Sequence, residues 1–193
     1  MSSELIIAGI ILPSAVAATA GFGAWRCWRL LRYGGDPRLQ KLMLFYSLLA
    51  ASLVSLGIWT GQQSEPVGDA LIVAHHAFLL AGLVVGVQAF SHKHTKSAAV
   101  ATGALAFFGP FIPVILALEA VMTLYIAVQA ILNHRERRTP GARQVAAGFL
   151  LFFIGHLIFF LFHDPGGTGI PLGGLFALAG LVLLVRLLPR PST

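Results

Sequence analysis

Apolar stretches of about 20 residues, each long enough to cross a bilayer as a helix, follow one another along nearly the whole chain. Short breaks rich in glycine, proline and charge separate them, as helix ends and turns require. The breaks are RYGGDPR (32–38), GQQSEPVGD (61–69), SHKHTKS (91–97), GPFIP (109–113), NHRERRTPGAR (133–143) and DPGGTGIPLGG (164–174). The stretches between them predict helices over residues 5–27, 39–60, 69–90, 98–110, 113–133, 144–162 and 171–188. Composition agrees: 57% of the residues are apolar and only 10% charged, against roughly 25% charged in soluble domains. The expectation is an all-α integral membrane protein in which residues 1–193 form a single transmembrane domain. The first helix is expected to be retained, because MSSELIIAGI lacks the basic start of a signal peptide.

The count of seven rests on charge. Residues 98–132 read either as one long helix or as two segments broken at Gly109-Pro110 and Pro113, and proline inside a helix removes a hydrogen bond. With the break, all 13 Lys and Arg residues fall on one side of the membrane. The positive-inside bias then places the N-terminus outside and the C-terminus in the cytoplasm. The net charge of +6 is thus an orientation signal, and no basic domain is set apart for nucleic acid. The arginines at 135–138 are expected to meet anionic headgroups. Trp25, Trp28, Tyr33 and Trp59 are expected as interfacial anchors. Cys27 is the single cysteine, which excludes an intrachain disulfide and a thiolate metal cluster.

A repeat is also legible. FLLAGLVVGV (78–87) resembles FALAGLVLLV (176–185), and the basic turn before Pro37 resembles the one before Pro140. Residues 5–90 and 113–188 then form parallel three-helix repeats, with 98–110 as the linker helix. This 3+1+3 plan is similar to that of small sugar transporters of the SWEET type and, in topology, of seven-helix receptors. No sequence motif of either accompanies it, and topology alone assigns no function. The last predicted helix has no lysine that could hold retinal.

Ionisable groups inside a bilayer are costly and are usually paired or functional. Here they are His75 and His76 in the third predicted helix, Glu119 in the fifth and His156 in the sixth, with His163 and Asp164 at the outer rim. His75 lies six residues from Asp69, Glu119 six from Pro113 and His156 seven from His163. At about 1.5 Å per residue, each sits roughly 10 Å below the outer surface. Adjacent helical residues point about 100° apart, so His75 and His76 are both buried only if their helix is central. His75 shares a face with Gly82 and Gly86, beside the stripe Ala70, Ala74, Ala77 and Ala81. Glu119 shares one with Met122, Thr123 and Ile126, and His156 lies in a stripe with Phe149, Phe152 and Phe159. His92, His94 and His134 are expected at the surface of cytoplasmic turns.

Imidazoles on different helices are the usual means of holding haem iron or a transition metal in a bundle. The first expectation is accordingly haem b or a transition metal, possible ligands being His75, His76 and His156, with Glu119 added for a metal, in a membrane redox subunit. The outer loops offer no Arg or Lys to haem propionates. The alternative is a seven-helix sensor or a small-solute or proton transporter with a His/Glu site open to the outside. A sensor of this size needs a partner protein at the basic cytoplasmic face, and an oligomer is open to either reading. A zinc-dependent intramembrane hydrolase is disfavoured by the lack of an HxxxH pair within a helix.

Overall fold

A computed structural model describes residues 3–34, 36–61, 65–90, 112–162 and 169–188. They form six helices: α1 (Ser3–Gly34), α2 (Pro37–Gly61), α3 (Glu65–Phe90), α4 (Ile112–Arg137), α5 (Pro140–Leu161) and α6 (Gly169–Arg186). Five of them are long and apolar enough to cross a membrane, and α6 contributes a shorter apolar segment, Pro171–Arg186. The protein is compatible with a multi-pass membrane protein whose outer face meets lipid. Val54, Val73, Val121, Leu150 and Leu175 point outward and exposed. The expected helix 98–110 lies outside the described residues.

Several helices run past their expected ends. α1 continues past residue 27 through Arg29 and Arg32 to Gly34, and α4 continues through Arg135 and Arg137. Arginine is a good helix former, and its long stem lets the charge reach water from an apolar surface. Arg29 stacks on Trp25 and Arg32 on Trp28, with guanidinium-to-ring distances of 5.2 and 3.9 Å. The two tight turns are capped. Asp36 Oδ1 accepts from the Arg38 N–H at 2.9 Å, and Thr139 Oγ1 accepts from the Ala142 N–H at 3.2 Å. Arg138, at φ 49°, closes α4 by donating its N–H to the His134 carbonyl at 2.8 Å.

The helices form a ring in chain order, each packed on the next, with α6 closing on α1. Arg26 holds that closure by donating to the carbonyls of Val185 and Leu188. Directions follow from pairs of contacts. His76 meets Glu119, and Gly86 faces Ile126 ten residues further along α3, so α3 and α4 run in parallel. Gly174 faces Leu12 and Gly23 faces Val185, so α1 and α6 are also parallel. Phe90 and Ile112 therefore lie at opposite ends of the bundle.

Small residues bring helices together where apolar burial gives little drive, since lipid is as apolar as leucine. The tightest seam joins α5 to α6. A Cβ on Gly155 would sit 2.7 Å from the Gly173 carbonyl, and one on Gly180 only 2.5 Å from the Gly148 carbonyl. The alanine stripe on α3 does not form such a seam. Ala70, Ala77 and Ala81 are exposed and Ala74 is half-buried. Gly82 and Gly86 pack on Leu48 and Phe45 of α2 instead.

Candidate functional site

All six helices contribute to one cavity of about 440 Å³. It sits in the half of the bundle where α2 and α5 end and α3, α4 and α6 begin. Leu49, Leu53 and Leu56 line it from α2, Leu79 from α3, and Phe152 and Phe159 from α5. Val16, Leu116 and Ala177 complete the wall from α1, α4 and α6.

His75, His76, Glu119 and His156 all line this space, and all are buried, with exposures of 8, 6, 1 and 7%. Each ring is anchored through Nδ1. His75 Nδ1 lies 2.8 Å from the Ser52 hydroxyl and 3.0 Å from the Ser52 carbonyl. His76 Nδ1 lies 2.8 Å from Glu119 Oε1. His156 Nδ1 donates to the Phe152 carbonyl one turn earlier, at 2.9 Å. All three residues line the cavity, and Nε2 of each ring is neither hydrogen-bonded nor sealed among the described residues.

The two neighbouring histidines are both buried although α3 is not central. α3 lies between α2 and α4, and the 100° between adjacent side chains turns His75 to Ser52 on α2 and His76 to Glu119 on α4. Helix phase alone asks for a central helix; a place between two neighbours suffices. Met122, Thr123 and Ile126 are buried beside Glu119, and Thr123 donates its hydroxyl to the Glu119 backbone carbonyl at 2.9 Å. Phe149 and Phe152 are buried in the core rather than facing lipid.

No family model, no curated protein and no solved structure matches this chain.

Other expected residues divide. Trp59, expected as an interfacial anchor, lines the cavity. Trp25, Trp28 and Tyr33 are exposed. His134, expected at the surface, is half-buried in the last turn of α4. His163, Asp164, His92 and His94 lie outside the described residues. Among the described residues, no group of three or more His, Cys, Asp or Glu side chains is arranged to hold one metal ion. Sequence reasoning missed Ser52. A serine in an apolar helix commonly bonds its own backbone one turn back, as Ser55 does to Ala51, and only the α2–α3 packing reveals its partner.

The cavity combines apolar and aromatic walls with a few convergent polar groups, the usual make-up of a small-molecule pocket, and its size falls in the usual range of about 300–1,000 Å³. Its lining includes no lysine or arginine.

Proposed function

We propose that the chain is a seven-helix membrane protein that binds a small, largely apolar molecule in the His/Glu cavity, as a sensor or solute transporter. The observation that carries this reading is the convergence of His75, His76, Glu119 and His156 on one apolar cavity. Phe90 and Ile112, at opposite ends of the bundle, support a further span in residues 91–111. Every Lys and Arg among the described residues lies at the end where α1, α4 and α6 finish. The positive-inside bias makes that end cytoplasmic and the cavity a feature of the outer half.

A parallel repeat of α1–α3 and α4–α6 belongs to the same reading, and atomic contacts support it. Adding 103, the step from Pro37 to Pro140, pairs buried Val16 with Glu119, Tyr46 with Phe149 and Leu49 with Phe152. Adding 98, the step between the LAGLV segments, pairs Leu83 with Leu181. A Cβ on Gly82 would meet Leu48 Cβ, the Leu49 nitrogen and the Phe45 carbonyl. One on Gly180 would meet the counterparts of all three, Leu151 Cβ, the Phe152 nitrogen and the Gly148 carbonyl. The polar site does not repeat: His75, His76, Glu119 and His156 correspond to Gly173, Gly174, Val16 and Leu53. A duplicated scaffold thus carries one site between its halves, where repeat-built transporters bind substrate.

Mass spectrometry of compounds carried through purification tests the binding reading. Ala177 lines the cavity, and Ala177→Phe fills it. A small organic compound bound to the wild type and lost from a folded variant is the expected result. The same compounds on both proteins, or none on either, would contradict the reading.

One observation favours a second reading, a haem-binding or metal-binding redox subunit. Imidazoles that ligate metals are typically fixed through the other ring nitrogen by a carbonyl or carboxylate, as His156 and His76 are here. A Soret band, or stoichiometric metal that His156→Ala removes, supports it; a colourless, metal-free protein rejects it.

A further inference from the structure

The anchored nitrogens decide what the cavity can receive. A carbonyl oxygen only accepts, so the hydrogen between His156 and Phe152 sits on Nδ1. The neutral ring then offers the cavity a lone pair at Nε2. A bound cation favours the carboxylate form of Glu119, and in that form the hydrogen sits on His76 Nδ1 and the lone pair on its Nε2. The pair then carries one negative charge, and the second Glu119 oxygen adds another acceptor. His75 faces a hydroxyl as well as a carbonyl, so it can present a donor or an acceptor. The cavity end of the site is therefore rich in acceptors and has no fixed cation among its lining residues.

We propose that the cavity binds an organic ammonium, a compact protonated amine on an apolar body. This rests on the ligand-binding reading and names its ligand class. The amine N–H groups donate to His156 Nε2 and to the His76–Glu119 pair, while the body packs among Leu53, Leu79, Phe152 and Phe159. Aromatic faces add attraction for a cation within about 6 Å of a ring centre. A carboxylate ligand would set its charge against Glu119 and the imidazole lone pairs. A purely apolar ligand would leave those acceptors desolvated and unpaired, which is unfavourable.

Tryptophan fluorescence provides the test. The chain has three tryptophans; Trp25 and Trp28 are exposed and only Trp59 lines the cavity. A Trp25→Phe/Trp28→Phe protein makes Trp59 the sole reporter. It is titrated at neutral pH with 2-phenylethylamine, 2-phenylethanol and 3-phenylpropanoate, which share an apolar body and differ in the head. The amine is expected to give a saturable change at a concentration at least about tenfold below the alcohol, as a charged hydrogen bond implies, and the carboxylate none. Glu119→Gln is expected to reduce the amine to the level of the alcohol. A carboxylate or alcohol that binds as tightly as the amine overturns the ligand class while leaving a binding cavity in place. No saturable amine response also overturns it, and the Ala177→Phe comparison judges the binding reading separately. If Glu119→Gln fails to fold, the order of the three heads on the parent protein still decides.

Discussion

His76 on α3 and Glu119 on α4 meet at 2.8 Å, and their contact joins two helices that run in the same direction. Both side chains are buried beside the cavity, so each is the other's main compensation for leaving water.

Breaking this pair from one side should be costly. His76→Ala or Glu119→Ala leaves a buried ionisable group unpaired, and each is expected to destabilise the bundle by about 3–5 kcal/mol. The double variant should lose less than the sum, with a coupling of at least about 1 kcal/mol. Unfolding in mixed micelles measures all three. Additive losses would mean that the two groups do not interact in the folded protein.

Glycine substitutions should separate the two kinds of helix contact. Gly180→Ala places a Cβ 2.5 Å from a backbone carbonyl that cannot swing aside, whereas a Cβ on Gly21 meets nothing within 4 Å. Gly180→Ala is expected to destabilise by about 1–3 kcal/mol or more, as overpacking does. Gly21→Ala should stabilise by about 0.5–1 kcal/mol through helix propensity. Gly82→Ala, whose nearest contact is 3.4 Å, should fall between them. Melting temperatures in one detergent rank the three, and a harmless Gly180→Ala would refute the close α5–α6 seam.

Much of this was legible in the chain, and the limits have physical causes. Long apolar segments announce themselves, because a backbone in lipid has to satisfy its own hydrogen bonds. Distances from the breaks, at about 1.5 Å per residue, put His75, Glu119 and His156 at one level of the chain's helices, and the three line one cavity. Direction around the helix was not legible, because α3 is apolar on nearly every face and its periodicity carries little signal. For that reason the Ala70–Ala81 stripe does not tell which side of α3 packs, and the contacts of Gly82 and Gly86 and the Ser52–His75 pair emerge only from packing. Helix ends were underestimated where arginines continue the helix into the interface, as at Arg32 and Arg137.

Orientation can be read by labelling. Cys27 is fully buried, and Cys27→Ala gives a cysteine-free background. Asp69→Cys, at the cavity end, is expected to react with a membrane-impermeant maleimide added to intact cells. Arg135→Cys, at the arginine-rich end, should react only after permeabilisation. Equal labelling of both sites from outside would contradict the proposed topology.

The most direct test of the account is an experimental density map of the protein extracted with its native lipids and bound solutes. The account predicts non-protein density between Trp59 and the His76–Glu119 pair, within hydrogen-bonding distance of His156 Nε2. A cavity closed by its own side chains, with His156 Nε2 turned to a second protein group, would contradict it.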